Sequence, residues 1–142
     1  MLIRIDNDMW LGYVKDDPVR PHISPYFRIT ENRTTFALMD DDEEAPRAII
    51  CVAFTSDVAT TEQDLAKYGN NIAMFYTVWS YDRGAGREII QEVVEWIKEN
   101  SSEVTRFVTL SPKTEIARRF HTRNGAFELQ ENKDTINYEY EV

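Results

Sequence analysis

A second cysteine is missing from this chain, which excludes any intrachain disulfide. Its one thiol, Cys51, stands inside the apolar run Ala48 to Phe54, the setting of a buried, inert cysteine rather than a nucleophile. Missing too is an apolar stretch long enough to span a membrane, and Met1 to Ile5 is cut short by Asp6 and Asp8 before it can form a signal peptide. Positive charge is scarce: 16 Lys and Arg face 25 Asp and Glu, a formal net charge of -9. Affinity for a phosphate backbone needs clustered cations, so non-specific nucleic-acid binding is excluded and cationic partners are favoured. No repeat, low-complexity tract or Pro/Gly/Ser linker divides the chain. These absences predict a soluble cytoplasmic protein, one domain over 1–142, with no membrane or nucleic-acid partner. At 142 residues a chain buries about 70% of its unfolded surface, so its core needs neither disulfide nor metal.

What is present alternates between strand-like and helix-like segments. Leu2 to Ile5 predicts a first strand and Asn7 to Lys15, with Met9, Trp10, Tyr13 and Val14 on helical spacing, a first helix. Pro18, Pro21 and Pro25 then break regular structure. Thr34 to Met39 and Ala48 to Phe54 flank the acidic segment Asp40 to Glu44, the pattern of a hairpin with a charged turn. Thr60 to Tyr68 is polar, a short helix or a connection. Ile72 to Trp79 is apolar on both alternating faces, as a central covered strand must be. From Glu88 to Glu99 the residues Ile89, Ile90, Val93, Val94 and Ile97 fall on one helical face. Val104 to Leu110 reads as the next strand, parallel to the central one. Ser111 as N-cap and Pro112 as first helical residue then open a helix with Ile116, Ala117 and Phe120 on one stripe, stopped by Asn124-Gly125. A hairpin of Ala126 to Leu129 with Thr135 to Val142 closes the chain.

Between the central strand and its helix lies Arg83-Gly84-Ala85-Gly86-Arg87. Small residues at a helix start expose N–H groups that lack intrahelical partners, and the macrodipole adds partial positive charge. The loop therefore reads either as a phosphate cradle or as a tight turn that binds nothing. A third glycine is absent, which excludes a dinucleotide fingerprint, and no Gly-Lys-Ser/Thr ending makes a Walker loop. A basic section from Arg106 to Arg123 follows, with Lys113, Arg118 and Arg119, read as a solvated surface or as part of the same anion site.

The order of elements from Thr34 to Val142, with this loop, resembles the GNAT superfamily of acyl-CoA-dependent N-acyltransferases. That family's motif, Gln or Arg, two residues, Gly, one residue, then Gly or Ala, is matched by Arg83 and Gly86 but ends here on Glu88. Its downstream helix, Asn-x-x-Ala-x-x-x-Tyr with a later Gly, is matched by Ala117 and Gly125, with Thr114 and His121 in place of Asn and Tyr. The resemblance implies an α+β fold of the three-layer α/β type: a mixed, mostly antiparallel central sheet flanked by helices, with the central strand splayed from its parallel neighbour. It implies transfer of an acetyl group from acetyl-CoA to an amine by direct attack, without a metal. Coenzyme A would lie against Val78, Arg83, Gly84, Ala85, Gly86, Arg87, Glu88 and Thr114, with the Val78 N–H on the thioester oxygen.

His121 takes the place of the family's proton-donating Tyr, as an imidazolium acid or as a surface residue. Tyr76 is the nearest titratable group on the central strand, a general base or a core side chain. Glu88 bears on activity, since a carboxylate at that position opposes the phosphates unless it points outward. Acceptor contacts in such proteins come from segments that here hold Arg20, His22, Tyr26, Tyr138 and Tyr140. The implied acceptor is a small-molecule or peptide amine and the implied assembly a monomer or homodimer. The alternative is a catalytically inactive binding or regulatory module.

Overall fold

A computed structural model describes residues 1–6, 11–42 and 45–142. Its strands form one sheet in the order β1-β2-β3-β4-β5-β8-β6, with β7 paired to β8. The strands are β1 Leu2–Ile5, β2 Arg33–Met39, β3 Pro46–Thr55, β4 Ile72–Ser80, β5 Arg106–Thr109, β6 Ser111–Pro112, β7 Ala126–Glu131 and β8 Thr135–Tyr140; the helices are α1 Ala85–Asn100 and α2 Glu115–Arg123. Every pairing is antiparallel except β4 with β5. The mixed, mostly antiparallel sheet expected from the resemblance is thus present. No helix among the described residues is long and apolar enough to cross a membrane.

The apolar runs of β3 and β4 serve two cores at once. On β3, Ala48, Ile50 and Val52 face α1, while Ile49, Cys51 and Ala53 face the other side, so both faces of the strand are buried. The helical stripe read from Ile89 to Ile97 lies in the first core, beside Phe36 and Phe75. Each such side chain contributes roughly 1.5–3 kcal/mol of transfer free energy. The second face is covered by short 3-10 segments, Leu11–Asp16, Phe27–Ile29 and Gln63–Ala66, with Val14 and Leu65 buried there. Of the first helix expected over Asn7 to Lys15, residues 7–10 lie outside the described residues, and 11–16 take the tighter 3-10 form. Glu43 and Glu44 of the acidic turn also lie outside them.

Two helix starts differ from the sequence reading. Helix α1 begins at Ala85, inside the glycine loop, because Gly84 as its N-cap takes φ +84, a left-handed conformation free of strain only for glycine. Ser111 and Pro112 do not open α2; they form a two-residue strand against Thr135 and Ile136. The Ser111 hydroxyl is taken by Thr109 Oγ1 at 2.7 Å, and Thr114 caps α2 instead, accepting from the Ala117 N–H at 3.2 Å. Of the stripe Ile116, Ala117 and Phe120, Phe120 packs partly buried against the first core while Ile116 is 82% exposed, and the buried residue of α2 is His121.

Candidate active site

The parallel pair β4–β5 is short. It runs only from Ile72 to Phe75 on β4, and its last rung is the Leu110 N–H donating to the Phe75 carbonyl at 3.0 Å. Beyond it the chain turns away as β6 to join β8, so Tyr76 to Ser80 of β4 have no strand on that side. A cavity of about 500 Å³ fills the opening, walled by β4, the Leu110–Pro112 corner, α2 and the segment Pro18–Arg20. The apolar stripe of α2 faces it, which is why Ile116 and Ala117 follow a helical period although only Phe120 reaches the core.

A β-bulge sits where the strands part. Cys51 opposes Thr77 and Val52 opposes Phe75, leaving Tyr76 without a partner on β3. The extra residue reverses the facing of β4: Ala73 and Phe75 lie on the α1 side before it, and Val78 takes that side after it. The freed Tyr76 carbonyl accepts a hydrogen bond from Arg20 Nη1.

Of the residues singled out in the sequence, Tyr76, Val78, Gly86, Thr114 and His121 meet around this cavity. Arg83, Gly84, Ala85, Arg87 and Glu88 belong to the same helix start without lining it. There the Ala85 N–H donates to the Asp82 carbonyl and the Glu88 N–H to that of Gly84, whereas those of Gly86 and Arg87 take no acceptor among the described residues. Two adjacent free donors at a helix start, flanked by the exposed Arg83 and Arg87, fit a phosphate group. Gly86 must be small for a second reason: a Cβ there would sit 2.9 Å from the Phe120 ring. The Glu88 carboxylate turns outward to Arg47 Nη1 at 2.9 Å, and Arg47 Nε also reaches Asp82 at 3.2 Å. The basic section downstream is largely paired with acids, Arg106 with Glu139, Lys113 with Glu131, and Arg118 and Arg119 with Glu115.

His121 is neither a surface residue nor an imidazolium. It is buried between Phe120 and the stacked ring of Tyr138, its Nδ1 lies 2.8 Å from the Tyr140 hydroxyl, and burial pulls its pKa down to about 4. Burial thus favours the neutral imidazole at neutral pH, against the imidazolium acid expected from the sequence. Tyr76 does not suit a general base. Its side chain lies in the second core, its hydroxyl is buried without a hydrogen-bond partner, and burial pushes its pKa far above the usual phenol value.

Sequence reasoning missed the residues that fix the cavity's second wall. Asp17, buried, accepts from the N–H groups of Val19 and Arg20 and from the Thr77 hydroxyl through Oδ1, and from Arg28 through Oδ2 at 2.8 Å. Burial works against its charge, but these bonds outweigh it and hold its carboxyl below the usual value. Arg28 is fully buried and also donates to the carbonyls of Arg20 and Ile23. Arg47 was missed likewise. Asp17 meets Thr77 and Arg47 meets Glu88 across many tens of residues, a separation no local pattern records.

No protein-family profile matches the chain, and no curated protein sequence matches it. Solved structures do. Malonyl-CoA decarboxylase from Agrobacterium vitis is 22% identical with a TM-score of 0.67, over 84% of this chain and 35% of that one. The chain thus spans about a third of the length of such decarboxylases. A GNAT family acetyltransferase from Elizabethkingia anophelis with acetyl-CoA bound is 8% identical with a TM-score of 0.67, over 100% of this chain and 97% of that one. An aminoglycoside N-acetyltransferase in complex with CoA is 13% identical with a TM-score of 0.65, covering 93% and 95%. Whole-length superposition on these acetyltransferases, with the sheet parted after its one parallel pair, gives the chain the fold of the GNAT family.

Proposed function

We propose that residues 1–142 form one acyltransferase domain that takes an acyl-coenzyme A, acetyl-CoA in the simplest case, into the opening between β4 and β5 and passes the acyl group to a primary amine. The observation that carries this reading is the parted seam: an unpaired strand edge and an apolar wall from α2 line one cavity, which the helix start with its two free N–H groups borders at Gly86. The pyrophosphate would rest on the loop from Arg83 to Arg87, with Glu88 held outward by Arg47. The Val78 N–H is assigned to the thioester oxygen. Thr114 caps α2 and lines the same cavity, within reach of the coenzyme.

In the reaction the amine nitrogen attacks the thioester carbon, the C–N bond forms, the C–S bond breaks, and the proton lost by nitrogen ends on sulfur. Both atoms belong to one tetrahedral intermediate, so the transfer balances without an imidazolium. With Nδ1 taken by Tyr140, the neutral His121 leaves Nε2 to hydrogen-bond the sulfur or a bound water. Tyr76 contributes its carbonyl, through Arg20, and no proton.

One observation favours a second reading. Identities of 22–23% with malonyl-CoA decarboxylases exceed those of 8–14% with the acetyltransferases. Decarboxylation would use the same coenzyme site, with loss of CO2 leaving a thioester enolate that takes a proton at carbon. The test is incubation with acetyl-CoA and a panel of amines, and separately with malonyl-CoA. Acetylated amine with stoichiometric free thiol supports transfer, CO2 without free thiol supports the second reading, and coenzyme binding with neither supports an inactive binding module.

A further inference from the structure

Arg20 is 3% exposed, yet its guanidinium makes a single hydrogen bond among the described residues, from Nη1 to the Tyr76 carbonyl. A guanidinium carries five N–H donors, and a buried one with most of them unfilled is costly. Its Nε is ion-paired with the Glu62 carboxylate at 3.4 Å, too poorly aligned for a hydrogen bond. Glu62 is itself partly exposed and shared with His22 Nε2 at 2.7 Å. Arg20 nevertheless does not turn to solvent. Asp17 fixes its backbone, and Arg28 holds its carbonyl from behind. The guanidinium is thereby kept in the cavity wall, at the bulge where β4 leaves β5.

Resting on the acyl-CoA reading, we infer that this end of the cavity is a carboxylate site: Arg20 receives a carboxylate of the substrate, either the free acid of a dicarboxylic acyl thioester or the α-carboxylate of an amino-acid acceptor. The planar fork matches two carboxylate oxygens, and burial strengthens the pair relative to water. A cationic acceptor, which the net charge of -9 favours on electrostatic grounds, would here compete with Arg20 for the Glu62 carboxylate. Local charge in a cleft outweighs the sum over the surface.

Calorimetric titration tests this. In one arm, succinyl-CoA binds at least about tenfold more tightly than acetyl-CoA if the acyl group carries the acid. In the other, with coenzyme A present, a free amino acid binds and its carboxamide does not if the acceptor carries it. Either preference falls to near unity in Arg20→Gln, and Arg20→Lys, which keeps the charge without the fork, retains only part of it. Glu62→Gln, which removes the nearest competing carboxylate, strengthens the same ligand and needs no change in the buried wall. Equal affinities in both arms, or a preference that survives Arg20→Gln or is unmoved by Glu62→Gln, overturns the inference. Absence of any coenzyme A binding overturns the acyl-CoA reading instead, and titration with succinate alone then still reads Arg20.

Discussion

His121 sits where the resemblance calls for a proton donor, yet its ring is enclosed by Phe120, Tyr138 and Tyr140. Its folded pKa of about 4 lies below the ordinary 6.5, so between those values the unfolded chain binds the proton and the folded chain does not. The stability this favours is complete above pH 6.5 and is lost as pH falls toward 4, by up to about 3 kcal/mol. Urea unfolding of the parent and of His121→Asn at pH 7 and pH 4 checks the sign: the gap between the two narrows on acidification. The kcat/KM profile of an active preparation should show no inflection from His121 between pH 6 and 8. The resemblance pointed to this residue through Ala117 and Gly125, and its ring borders the cavity. Its protonation state was not legible there, because the enclosing rings come from β8, some twenty positions on.

The start of α1 shows how one element resolves a conflict written into its own sequence. Glu88 departs from the small residue expected, and its carboxylate would oppose an anion bound at the preceding N–H groups. Arg47, from the beginning of β3, draws it outward and spans to Asp82 at the other end of the loop. Two consequences are measurable by titration with acetyl-CoA. Glu88→Ala changes affinity little, since the carboxylate already points away. Arg47→Ala, which frees both carboxylates, weakens binding several-fold and more at low salt than at high, because exposed charges are screened. The existence and facing of α1 were legible from its period, as were the hairpin β2–β3 and the central β4. The start of α2 was not: Ser111-Pro112 carries a credible cap signal, but Ser111 bonds Thr109 and pairs with β8, and tertiary pairing outweighed the local preference.

On the scale of the whole molecule, the sheet is a continuous ladder interrupted at one seam, and the interruption is held open from the second face. The buried pair Asp17–Arg28 ties the Pro18–Arg20 wall to β4 through Thr77, so removing one charge strands the other. Asp17→Asn should cost about 3–5 kcal/mol in denaturant unfolding, more than loss of any exposed ion pair on α2. That latch was invisible in the sequence for the same reason that the seam was visible only through family resemblance: both depend on contacts between distant segments. The proposed function requires that the seam take an acyl-coenzyme A. Calorimetric titration of acetyl-CoA into the parent and into Ala117→Trp, which fills the cavity from the face of α2 that lines it, decides it most directly. Saturable one-to-one binding by the parent, weakened at least about tenfold in a variant of unchanged melting temperature, is the predicted result. No binding by the parent, or equal binding by both proteins, would contradict it.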